Sequence, residues 1–174
     1  AIDSFTTVMS AGTGTISTLT LTTSAQFTAA NVSNIRLYRD AGTLGVYDAG
    51  VDTLVPSTYT IGAGTATITI TTPENVTTTT ANYLITVDIA AGATVGNTLT
   101  ARVTGATGAG LGTAVYNDTA SATLTITASG NLTIGNGTNP ANANAQQGST
   151  NNAIDSFTTI MSAGTGTIST LTLT

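Results

Sequence analysis

Residues 65–72 read TATITITT. Ala66, Ile68 and Ile70 fall on one face and threonines on the other, the signature of a strand with one buried and one wet face. Branching at Cβ suits Thr and Ile to a pleated surface and costs them rotamer freedom in a helix. The same alternation recurs outward from this stretch. SATLTIT, residues 121–127, turns Ala122, Leu124 and Ile126 inward. Tyr83, Ile85, Val87 and Ile89 alternate likewise, as do Leu19 with Leu21, and Leu99, Ala101 and Val103. No 11-residue window sustains a helical period, although a short helical turn fits residues 27–31.

Strands are therefore expected at residues 3–10, 14–23, 35–39, 53–60, 65–72, 81–89, 98–104, 120–127 and 131–134, punctuated by Gly, Asn and Pro. Many short strands and no crossover helices exclude a parallel sheet. The expected fold class is all-β, an antiparallel immunoglobulin-like β-sandwich, with Leu19, Leu21, Ile35, Leu37, Ile68, Ile70, Ile85, Val87, Val103, Leu124 and Ile126 in its core.

The second signal is a repeat. Residues 1–22 read AIDSFTTVMSAGTGTISTLTLT, and residues 153–174 read AIDSFTTIMSAGTGTISTLTLT. The one difference is Val8 against Ile160, at an offset of 152 residues. Self-similarity at a fixed period marks an array, and here the period is long enough for each unit to own a core. The chain divides accordingly into a sandwich unit, 1–134, an Asn-rich connector, 135–152, and the first two strands of the next repeat, 153–174. The connector, GNGTNPANANAQQGSTNN, has no large apolar residue and six Asn, and Pro140 forbids helix there.

Composition narrows the chemistry. The 174 residues include 43 Thr but no Cys, His, Lys or Trp, and the net charge is −5. Nucleophile–base pairs built on His, thiolate chemistry and the usual zinc and copper ligand sets are absent. So are Lys Schiff bases, Lys–Asn isopeptide staples and disulfides. Three Arg cannot supply the basic footprint that phosphate neutralisation demands, so no nucleic acid partner is expected. The most apolar stretch, residues 81–96, is interrupted by Asp88 and too short to span a bilayer. Glu74 and the seven Asp pair with no aromatic-lined cleft in the pattern, so no enzymatic activity is expected. Residues 1–22 carry neither an initiating Met nor a basic n-region, and the N-terminus is expected not to be that of the translated product.

One segment concentrates charge and glycine: IRLYRDAGTLGVYDAGVDTL, residues 35–54. Counting Asp40 as position one of a calcium loop, Gly45 is position six and Asp48 position nine, as such loops require. Gly42 and Leu44 stand where ligands belong, and Asp52 comes one residue late. The other reading is a turn rich in Asp and Gly for conformational reasons.

Residues 18–54, with NLTI at 131–134, the Asn139-Pro140 pair and residues 148–157, resemble tandem domains of very large bacterial and archaeal surface proteins. The resemblance implies immunoglobulin-like sandwiches, an extracellular, cell-surface location and a structural or adhesive role. By it, Asp40, Asp48 and Asp52 are the ligands of a calcium ion, and the natural domain boundary lies near Gly130.

Three functional readings follow. The first is a non-enzymatic structural array: one repeat of an extracellular filament, sheath or adhesin stalk that meets copies of itself head-to-tail. In it Ala153, Ile154, Phe157, Ile160, Ile168, Leu171 and Leu173 carry the assembly contact. The second is a pilus-like subunit polymerised by strand donation from residues 1–22 or 153–174. The third uses the Thr-x-Thr faces as hydroxyl arrays for ice or surface glycans. Five N-x-S/T sequons, at Asn31, Asn75, Asn117, Asn131 and Asn136, are about the number chance supplies in so Thr-rich a chain and identify no glycosylation.

Overall fold

The computed structural model describes residues 1–112, 115–118, 122–142, 144–163 and 166–172. It forms two compact units, residues 1–126 and 127–174. The first holds strands β1 (Asp3–Thr7), β2 (Gly14–Thr23), β3 (Val32–Arg39), β4 (Thr53–Val55), β5 (Ser57–Gly62), β6 (Thr65–Val76), β7 (Ala81–Ile89), β8 (Thr98–Leu99), β9 (Ala101–Thr107) and β10 (Leu124–Thr125). One four-stranded antiparallel sheet has the order β1-β7-β3-β4, a second the order β5-β6-β2-β9, and β8 pairs with β10. Among the described residues there is no helix, and none long and apolar enough to cross a membrane.

The alternation read from the sequence places the core. Leu19, Leu21, Ile68, Ile70 and Val103 of the second sheet meet Ile35, Leu37, Tyr83 and Ile85 of the first in one apolar cluster. Val87 and Leu124 pack at its margin, and Ile126 is buried within it. Each fully buried aliphatic side chain contributes about 1.5–3 kcal/mol.

Two expected strands are broken, for identifiable reasons. Residues 53–60 divide at Pro56, which has no N–H to give a ladder. β4 joins the first sheet, with Val55 opposite Leu37; β5 joins the second, with Ser57 opposite Ile70. The chain thus changes sheets at the proline. Residues 98–104 divide at Thr100, whose N–H and C=O are taken by Ser24. Around residues 27–31 the chain makes turn bonds, Phe27 N–H to Ser24 C=O and Asn31 N–H to Thr28 C=O, both 3.0 Å, and buries Phe27.

In the second unit, β11 (Leu132–Asn136) pairs antiparallel with β12 (Phe157–Met161). β11 includes Gly135 and Asn136, the first two residues of the expected connector. Of the strand expected at 120–127, Leu124 and Thr125 are in β10, while residues 119–121 lie outside the described residues.

Candidate functional site

The loop between β3 and β4 carries the candidate cation ligands, and its carboxylates bond the loop's own backbone. The Asp40 carboxylate accepts the Gly45 N–H at 2.7 Å, and Asp48 accepts the Thr43 N–H at 2.6 Å. Asp52 accepts from Ala41 at 3.0 Å with one oxygen and from Asp48 at 2.8 Å with the other. Those two amides hold the Asp52 carboxyl below its usual range. Gly42 sits so close to the Asp48 carboxylate that a side chain there would collide with it. Among the described residues no three acidic side chains come together as a cation would require. Asp40, Asp48 and Asp52 thus share one loop, each directed at an amide.

The loop also has a packing role. Tyr47 packs on Tyr38 with ring centroids 4.9 Å apart. Leu84 lies in register with Tyr38 and Ser4, outside the inter-sheet cluster, yet is fully buried. The outer face of the first sheet is covered there.

Side chains also tie the strands. The Arg36 guanidinium forks onto both oxygens of Asp88 at 2.7 Å, and this ion pair lowers the Asp88 pKa. Glu74 accepts from Arg39 at 2.7 Å and from the Tyr83 hydroxyl at 3.1 Å. Burial, then the Glu74 charge, pushes the Tyr83 phenol up to about 12.

The most unusual polar cluster lies where β1 and β9 approach. Asp3 is 4% exposed, and it shares the Val103 N–H with Asp118: Asp118 accepts at 2.8 Å and Asp3 at 3.2 Å. Burial, then the Asp118 charge, pushes the Asp3 carboxyl up to about 7. Nearby, the Tyr116 hydroxyl accepts from the Ala106 N–H and donates to the Ala106 C=O. Asp118 and Tyr116 therefore cap backbone groups of β9, the edge of the second sheet. The sequence offers Asp118 only as an acid in a turn-like context and does not single out Tyr116, since a lone Asp and Tyr in a polar stretch carry no pattern.

Beside this cluster runs a groove of about 750 Å³, lined by Phe5, Met9, Leu19, Val103 and Leu111 among others. It follows β1, an edge strand of the first sheet among the described residues.

The expected assembly residues that the structure describes are exposed. Ile154 is 83% exposed, Ile160 69%, Phe157, Ile168 and Leu171 about half, and Ala153 is exposed; Leu173 lies outside the described residues. Their counterparts in the first copy include Ile2, Ile16, Leu19 and Leu21, all buried. Comparison of the chain with protein-family models, curated proteins and solved structures finds no match.

Proposed function

We propose that this chain is a repeat of an extracellular structural array, a filament, sheath or adhesin stalk of immunoglobulin-like sandwiches joined head-to-tail, with no enzymatic role. One observation carries the reading. A segment of nearly invariant sequence occupies two opposite environments: Ile2 is fully buried, while Ile154, at the same place in the second copy, is 83% exposed. On this reading the second copy takes, in the next sandwich of the array, the place that residues 1–22 take in this one. Heterologous contacts of this kind, which do not close, generate filaments. The absence of Cys, His and Lys from the chain agrees with a structural role. Discrete subunits exchanging strands are the second reading, favoured by β1 being an edge strand among the described residues.

Extending the chain with a copy of residues 23–152 after Thr174 tests the array. The second copy then has its partners, and amide exchange around Ile154 and Leu171 is expected to slow to that around Ile2 and Leu19. Residues 153–174 staying unprotected while the first unit folds would contradict the reading.

A further inference from the structure

Among the described residues β1 pairs with a strand on one side only, and just before it the Ile2 C=O accepts the Ala122 N–H at 2.9 Å. The backbone groups of β1 divide by parity, because successive residues of a strand point their N–H and C=O to opposite sides. On β7 the even positions face β3: Asp40 N–H bonds the Asn82 C=O, and Ala90 N–H bonds the Asn31 C=O at the other end. The odd positions face β1, where Phe5 lies opposite Tyr83 and Thr7 opposite Ala81. Ser4, Thr6 and Val8 consequently direct their backbone groups away from β7. Among the described residues no strand pairs with that side.

The second copy of the segment shows what fits there. In the β11–β12 pair, Gly137 N–H bonds the Ser156 C=O at 2.9 Å and Ser162 N–H bonds the Asn131 C=O at 3.0 Å. The even positions of 156–162 therefore face β11. With the 152-residue offset they correspond to Ser4, Thr6, Val8 and Ser10. The side of the segment that β11 occupies in the second copy is the side on which, from Ser4 to Val8, no described strand pairs in the first. β7 and a β11-type strand can flank it together without competing for an amide.

Side chains agree with the backbone. Leu132 pairs with Met161 and Ile134 with Thr159, the counterparts of Met9 and Thr7. Phe5 and Met9 turn toward the core, bordering the 750 Å³ groove, so Leu132 and Ile134 of an added strand would enter it. In the hairpin these two side chains are 45% and 54% exposed. Gly130 and Gly137 mark the ends of the approach: a Cβ at Gly130 would strike the Ala163 carbonyl, and one at Gly137 would strike Ser156. Both neighbours recur in the first copy, as Ala11 and Ser4.

We propose that the free edge of β1 is the slot for the Leu132–Asn136 strand of another copy of the repeat, in the register Leu132 to Met9, Ile134 to Thr7 and Asn136 to Phe5. The added strand completes the first sheet and seals the groove with two aliphatic side chains. The inference rests on the array reading for the source of the strand. The repeat is then out of phase with the sandwich: each sandwich takes its first strand from sequence preceding AIDSF, across the Asn-rich connector. Covering an open edge also removes a template for misassembly.

The test is a chain in which a copy of residues 127–152 precedes Ala1. Tethering makes the strand available at high effective concentration. Amide exchange at Thr6 and Val8 is expected to slow at least about tenfold relative to the 174-residue chain, while Phe5 and Thr7, already facing β7, change little. A second extension, carrying Leu132→Asp and Ile134→Asp in the copied segment, is expected not to slow Thr6 and Val8. Unchanged exchange in the first extension, or equal slowing in both, overturns the proposal. Slowing in the unextended chain that grows with concentration and persists when its own segment carries Leu132→Asp and Ile134→Asp also overturns it, since two β1 edges would then be pairing. The outcome is separable from the C-terminal extension above, which probes the next sandwich and leaves this edge untouched.

Discussion

Asp3 and Asp118 direct one carboxylate oxygen each at a single donor, the Val103 N–H. The arrangement satisfies one amide with two acids, and a second oxygen of Asp3 is buried without a partner. Its consequence is a pH dependence. Asp3 is raised from an ordinary value of 3.8 to about 7, so the folded chain holds a proton that the unfolded chain has released between those values. Protonation there favours folding. Stability is expected to be highest near the lower value, to fall as pH rises through the window and to level off above it. Asp3→Asn removes the titrating group, and thermal melts should find that variant a few degrees above the wild type at about pH 8, with the gap closing at about pH 4. Parallel melting curves at both pH values would refute this account of the pair.

Asp52 works in the opposite direction. Its carboxylate serves the Ala41 and Asp48 amides and is held below its usual range, so the bonds exist above that range and are lost as pH falls through the lowered value. Asp52→Ala is expected to speed exchange of the Ala41 and Asp48 amides at least about tenfold while leaving the melting of the two sheets nearly unchanged. Residue-resolved exchange measures both.

Leu19 and Leu171 occupy equivalent positions of the repeated segment, one 2% exposed and the other 45%. Leu19→Ala opens a cavity between the sheets and should cost about 2–5 kcal/mol by denaturant titration. Leu171→Ala should change the stability of this chain by less than about 0.5 kcal/mol. In a chain extended through the second period, the two costs should converge.

Gly108 lies against β2, where a Cβ would collide with the Thr15 carbonyl. The obstacle is backbone, which the Thr15 N–H bond to Ala109 at 2.8 Å holds in place. Gly108→Ala should therefore destabilise the first unit by about 1–3 kcal/mol, read by the same titration.

Period-2 alternation carried the strands and the core because it records which face meets apolar neighbours, and β2 and β7 begin and end where the pattern does. It could not show that the chain changes sheets at Pro56, since alternation runs unbroken through a point where pairing partners change. The Asp40–Asp52 loop was legible as a site of concentrated carboxylates, but a cation loop and a self-bonded loop ask for the same Asp and Gly residues. The Asp3–Asp118 pair was illegible, because only the fold brings the two ends of the first unit together. The edge of β1 needed both copies of the segment in view, one with a neighbour that the other lacks among the described residues.

The most direct measurement is the intact mass of the native polypeptide released from the cell that makes it. The array predicts a single chain of several 152-residue periods, recovered from the cell surface, with AIDSF segments recurring along it. A discrete chain of about the 17.2 kDa of these 174 residues, recovered from inside the cell, would contradict it.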